Sequence, residues 1–212
     1  MNRSLVRRAA AIALAASSVL LAGGSAWAAE KDAGANQAAQ KVAATICASC
    51  HGMNGNSTSP LFPRLAGQQE RYLAAQLRAF KAKTRGEQDA HDYMWGMATL
   101  LDESVIDAIA RYYAAQKPAP GTPGNAALIS RGKILFEKGD PAHDLVACAT
   151  CHGEGAQGNA IFPRLAGQHS AYVVRQLQAI QRQFRDSPVM HGVIKDIDAD
   201  GMNAVAEYVQ SL

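Results

Sequence analysis

Six stretches of the sequence repeat apolar side chains at the three- and four-residue intervals of a helix, and they fall into three pairs. Residues 35 to 47 are rich in alanine and have a counterpart from Ala126 to Glu137. Residues 69 to 83 set Tyr72, Leu73, Gln76, Leu77 and Phe80 on one face, and residues 169 to 184 follow the same plan. The last pair opens on acidic caps: Asp102 ahead of Val105, Ile106 and Ile109, and Asp198 to Asp200 ahead of Met202, Val205 and Val209. No run shows the two-residue alternation of a strand, so the expected fold is all-α.

The pairing extends to identity of residues. Phe62-Pro63-Arg64-Leu65-Ala66-Gly67-Gln68 returns unchanged as Phe162-Pro163-Arg164-Leu165-Ala166-Gly167-Gln168, and Tyr72, Gln76 and Leu77 reappear as Tyr172, Gln176 and Leu177. A repeat at this distance is a tandem duplication. Between the copies, three prolines and two glycines from Lys117 to Gly124 forbid a continuous helix and predict a short, stiff linker. The expected domains are residues 29–117 and 125–212, joined by residues 118–124. The glycine-rich stretches Gly52 to Pro60 and Gly153 to Ala160 are expected loops. A further loop, Lys138 to Ala147, has no counterpart in the first half and carries the turn residues Gly139-Asp140-Pro141. Each half has only about ninety residues, a size at which a protein core alone gives slim stability.

The first 28 residues stand apart. Arg3, Arg7 and Arg8 precede an apolar run from Ala9 to Leu21, and Ala26-Trp27-Ala28 has the small-x-small form of a leader cleavage site. The run is too short to span a bilayer securely. Export to the periplasm is the expected outcome. The leader holds three arginines and no acid, so the formal charge of +3 falls to a balance of 18 basic against 18 acidic side chains. No basic run survives to suggest a nucleic-acid partner.

Candidate chemistry lies in a pentapeptide that is also duplicated, Cys47-Ala48-Ser49-Cys50-His51 and Cys148-Ala149-Thr150-Cys151-His152. Cys-x-x-Cys-His is the attachment pattern of c-type haem: two thiols add to the vinyl groups and the histidine ligates iron. On a helix, positions i, i+3 and i+4 share a face, so both sulfurs and the imidazole can address one flat macrocycle. The two copies use all four cysteines. A thioredoxin-like dithiol would need a βαβ setting, and a structural zinc site would need its cysteine pairs far closer together. Two covalently bound haem c groups are therefore expected. Their propionates would turn the mature protein acidic, and each porphyrin would serve as an apolar body for short helices.

The ligand opposite each histidine separates carriers from enzymes, because a thioether closes the iron whereas an open position admits small molecules. Met94 and Met190 lie 96 residues apart, as do Tyr112 and Tyr208, and each precedes its acidic cap by eight residues. That register makes them the expected sixth ligands. Met97 is matched by Val193, Met53 is too near His51 to reach the far face, and Met202 sits in an apolar helical pattern. His91 and His191 are rivals without a matched histidine and are expected at the surface. Pro63 and Pro163 offer carbonyls to the ring N–H of the histidines, and Arg64 and Arg164 are candidates to pair with propionates.

The duplicated C-A-x-C-H-G motif, the two F-P-R-L-A-G-Q loops, the tyrosine and glutamine helices and the methionine before each last helix together resemble the dihaem cytochromes c4. The resemblance covers essentially the whole mature chain. It implies two tandem cytochrome c-like domains facing each other across a pseudo-twofold interface, with propionates near the contact and His51 paired with Met94 and His152 with Met190. The implied function is one-electron transfer from a quinol-oxidising complex or a dehydrogenase to a terminal oxidase. The expected protein is monomeric, with any membrane association made through its partners. A cytochrome subunit of a dehydrogenase complex is the alternative, and a catalytic dihaem enzyme such as a peroxidase or a thiosulfate-oxidising protein is a third reading.

Overall fold

Alanine at every fourth position decides how the first helix packs. In the computed structural model, which describes residue 30 and residues 32–212, residues 32–51 form one continuous helix, α1. The leader expected over residues 1–28 lies outside the described residues. Ala35, Ala39 and Ala43 are all buried and share an apolar cluster with Ile106, Ala108, Ile109 and Tyr113 of α4 (Glu103–Ala114). Side chains this small let two helix backbones approach closely, which a larger residue at any of the three would prevent. α1 widens into five-residue winding over Ala43–Cys47 and tightens again in its last turn, Ala48–His51. The expected helix thus runs on through the whole cysteine motif and stops at Gly52, whose φ of 76° a side chain would resist.

The rest of the first half is α2 (Glu70–Lys81), α3 over residues 90–99 and α4. The second half repeats the plan with α5 (Ala126–Lys138), the short α6 (Ala149–His152), α7 (Ser170–Gln181), α8 (Pro188–Ile194) and α9 (Ala199–Ser211). Phe136, Val173, Leu177, Ile180, Ile194, Met202, Val205 and Val209 form its core. Among the described residues there is no strand beyond isolated bridges, and no helix is long and apolar enough to cross a membrane.

Several expected boundaries shift for physical reasons. α2 and α7 end at Lys81 and Gln181, short of 83 and 184, because Lys83 and Gln183 adopt left-handed φ of 57° and 61° and reverse the chain. Asp198 accepts the Gly201 N–H at 2.6 Å and caps α9, whereas Asp102 occupies the same place before α4 without accepting an N–H. α3 and α8, which carry the candidate methionines, are too short to show a periodic stripe and were not expected as helices. The loop before the second motif is itself folded: Pro141–His143 make a helical turn closed by an antiparallel bridge between Asp140 and Leu145.

The two halves meet about a pseudo-twofold axis at which Arg85 and Arg185 pair as an antiparallel bridge, with Gly86 N–H donating to Phe184 O at 2.8 Å. Both arginines are buried. Arg85 donates to Gln76 Oε1 at 2.9 Å and Gln176 Oε1 at 2.8 Å, and Arg185 donates to the same two oxygens at 3.0 and 2.6 Å and to the Tyr72 hydroxyl at 2.7 Å. Glu87, also buried, accepts from Arg85 Nε at 2.8 Å. Of the residues repeated on α2 and α7, Tyr72, Gln76 and Gln176 are thus interdomain contacts. The segment between the halves carries no helix and is held at both ends: Asn56 Oδ1 accepts from Ala119 N at 2.7 Å, and Thr122 N donates to Gln210 O at 2.9 Å.

Gly132 of α5 sits where α9 crosses it, and a Cβ built there would lie 1.9 Å from the Ala204 carbonyl oxygen. At an ordinary helix position Gly→Ala stabilises by up to ~1 kcal/mol. Here Gly132→Ala is expected to destabilise the second half by about 1–3 kcal/mol, since backbone must move to admit the methyl group. Denaturant unfolding of the variant, read against wild type, measures that sign.

Candidate functional site

Each cysteine motif ends a helix on a buried histidine. His51 is 6% exposed and His152 7%. In both, ring Nδ1 lies 2.9 Å from a proline carbonyl, that of Pro63 and that of Pro163. A carbonyl only accepts, so Nδ1 carries the proton and Nε2 keeps its lone pair. Burial pushes the pKa of both rings below the ordinary histidine value, with the proline carbonyl working against it, which favours the neutral imidazole that metal binding needs. Phe62 and Phe162, which open the repeated loop, stand edge-on to these rings at centroid separations of 6.1 and 6.4 Å.

The cysteines lie one turn before, at i−4 and i−1 from each histidine, and all four are free and half-buried. Burial raises the Cys47 thiol and pushes Cys148 up to about 11. Neither is poised as the thiolate that dithiol exchange requires. The buried hydroxyl of Tyr113, which has no hydrogen-bond partner among the described residues, lies beside Cys47 on the same wall. A buried imidazole with a free Nε2, two thiols on the turn beneath it and an apolar wall fit a c-type haem in each half.

The candidate methionines lie on α3 and α8. Met94 lies in the widened stretch Ala90–Met94 that begins α3 and packs with Phe80, Ala90 and Ala98, and Met190 lies on α8 against the second core. Both are half-buried. Met97 and Met53 are 55% and 70% exposed, and Met202 is core. Tyr93 meets Phe62 edge-on at 5.3 Å, so the loop over His51 touches the segment that carries Met94. His91 is exposed and bonded to Asp92, as expected of a surface residue. His191 departs from that expectation: it is half-buried, with Nδ1 3.1 Å from Ile180 O.

Arg64 spends its guanidinium on three carbonyls, those of Ser57 at 3.3 Å, Pro120 at 3.2 Å and Gly167 at 2.8 Å. The Arg164 side chain makes no hydrogen bond among the described residues. Missing from the sequence reading are Gln68 and Gln168, the last residues of the repeated loops. Gln168 Oε1 accepts from Arg64 N at 2.9 Å while its Nε2 donates to Arg64 O at 3.0 Å; Gln68 does the same to Arg164, at 2.7 and 2.9 Å. Their exact repetition was the available signal.

The cytochrome c family profile matches residues 37–115 and 129–212, one copy in each half. The chain belongs to the cytochrome c family. Its relatives include cytochrome c4 of Azotobacter vinelandii, 34% identical with 85% of this chain and 90% of the relative covered. The thiosulfate dehydrogenase electron acceptor of Thiomonas intermedia is 36% identical with 82% of each covered. The solved cytochrome c4 of Acidithiobacillus ferrooxidans superposes with a TM-score of 0.75 at 40% identity, covering 78% of this chain and 98% of that one. As a tandem cytochrome c of the c4 type, the protein binds two covalently attached haem c groups and carries electrons; it is not an enzyme.

One histidine at the cytochrome's interface titrates with consequence. His169 Nε2–H donates to Ser57 O across the halves at 2.9 Å, and burial, with Arg64 nearby, holds its pKa below the ordinary value. The folded state then binds fewer protons than the unfolded one as pH drops past about 6.5, so its contribution is complete above that pH and is lost through the depressed native value. Denaturant midpoints are expected to fall with pH over that window, and His169→Gln, the residue at position 69 of the first half, should flatten this component.

Proposed function

We propose that this cytochrome is a periplasmic one-electron carrier with histidine and methionine at each iron, taking electrons from a quinol-oxidising complex or a dehydrogenase and delivering them to a terminal oxidase. Cys47 and Cys50 tether the first haem and Cys148 and Cys151 the second, in domains bounded at 29–117 and 125–212. His51 with Met94, and His152 with Met190, would hold the two irons. The observation that carries this reading is the matched pair of buried imidazoles, each with Nδ1 committed to a proline carbonyl and Nε2 left free. Bound haem c supplies the Fe(III)/Fe(II) exchange.

The chain's own residues fix how that exchange is used. Pro63 and Pro163 hold the tautomer and the ring plane. A thioether favours ferrous iron and raises the potential, and with both positions filled no substrate has access. Arg164, whose guanidinium is unengaged among the described residues, is the better placed of the two arginines to pair with a propionate; Arg64 is shared with backbone carbonyls. Periplasmic location rests on the leader-like first 28 residues. A second reading, a dedicated acceptor bound to a dehydrogenase, is favoured by the Thiomonas relative's name, and co-purification with a large partner distinguishes it from a free carrier.

Met94→Ala and Met190→Ala are each expected to halve the weak red-edge band of the ferric protein that reports thioether–iron bonding, and to open one haem to carbon monoxide. Met97→Ala and His91→Ala should leave the band and the closed irons unchanged. A Met94→Ala protein that keeps the full band would remove Met94 from the ligand set.

A further inference from the structure

Pro63 O and Arg64 N belong to one peptide unit. On one side that unit accepts the His51 ring N–H at 2.9 Å, and on the other its own N–H donates to Gln168 Oε1 at 2.9 Å. The second half mirrors it: His152 donates to Pro163 O at 2.9 Å, and Arg164 N–H donates to Gln68 Oε1 at 2.7 Å. Each histidine is therefore connected, through a single peptide, to a glutamine from the other half. Both glutamines are 7% exposed. Their amide orientation is fixed, because Oε1 faces an N–H while Nε2 faces the Arg64 or Arg164 carbonyl, and the reverse placement would set donor against donor. Oε1 also accepts from the next backbone N–H, His169 N at 3.1 Å or Gln69 N at 2.9 Å, which holds the side chain in place.

We propose that Gln168 tunes the haem of the first half and Gln68 that of the second, each acting as a positioning residue on the axial histidine of the opposite half. An acceptor at the amide N–H polarises the peptide and makes its carbonyl oxygen more negative. The carbonyl then draws more strongly on the ring N–H, Nε2 becomes more electron-rich, and a more basic ligand favours ferric iron. The linkage crosses the interface twice, so each haem's potential depends on the docking of the other half.

This rests on the proposed ligation by His51 and His152, and the test separates the two. Gln168→Leu and Gln68→Leu are made in the dihaem protein, and redox titration is followed through haem-methyl resonances assigned to each half. Gln168→Leu is expected to raise the potential of the first-half haem, by up to about tenfold in its reduction equilibrium or ~59 mV for one electron, with the second-half haem nearly unmoved. Gln68→Leu should give the reverse pattern, and in each variant only the opposite half's ring N–H resonance should shift.

Equal shifts at both haems, shifts in the mutated half, or no shift would overturn the proposal. So would the same crossed pattern from Arg175→Ala, which removes interdomain bonds to Pro60 O, Leu61 O and Asp89 without touching either peptide. Ring-current-shifted His51 protons in the ferrous protein report ligation independently. With them present, an unmoved potential defeats only the cross-domain tuning; without them, the ligation fails and the proposal with it.

Discussion

A buried imidazole needs a partner for its ring N–H, and in this protein the need is met twice by the carbonyl of a proline at 2.9 Å. Left unpaired, that N–H would cost on the order of 1–3 kcal/mol at each site. The pairing obliges the chain after each cysteine motif to turn back over the histidine, which Gly52 and Gly153 allow through φ of 76° and 78°. It also decides which ring nitrogen keeps its lone pair. The repeated loop, the phenylalanine against the ring and the close approach of the two halves all follow from that returning segment.

The interface continues the same loops and adds a buried cluster that departs from symmetry. Arg85 and Arg185 share two glutamine oxygens, but Glu87 stands on one side only, since Ser187 occupies the matching place. Two guanidinium groups face one carboxylate in a site closed to water. Such groups are tolerated only when their donors are met, and Gln76, Gln176 and Tyr72 meet them. Removing any of these acceptors leaves charge without compensation, so the cluster holds the halves in one register.

Much of this was legible in the sequence because duplication supplies an internal comparison. The cysteine motifs, the six principal helices and the register of Met94 with Met190 come from spacing alone, and the position of the last turn of α1 follows from the motif itself. What spacing could not show is direction. Tyr72, Gln76 and Leu77 read as one helix face, yet the first two turn toward the other half while the third joins the first half's own core. Asp102 and Asp198 look alike as caps, but only Asp198 accepts an N–H. α3 and α8 escape the periodicity because ten and seven residues are too few to show an apolar stripe. His191 was misplaced because a carbonyl of another helix, Ile180 O, partly encloses it, a contact no local pattern records.

The loops that meet at the axis carry the same seven residues. Gln68 reaches Arg164 as Gln168 reaches Arg64, so one half already contains both the group that offers the contact and the group that receives it. A patch with that property is self-complementary, the arrangement of an isologous homodimer. The present molecule has the geometry of such a dimer captured in one polypeptide. Within that frame the copies are not identical: the lone Glu87, the folded loop before Cys148 and the unequal engagements of Arg64 and Arg164 set them apart.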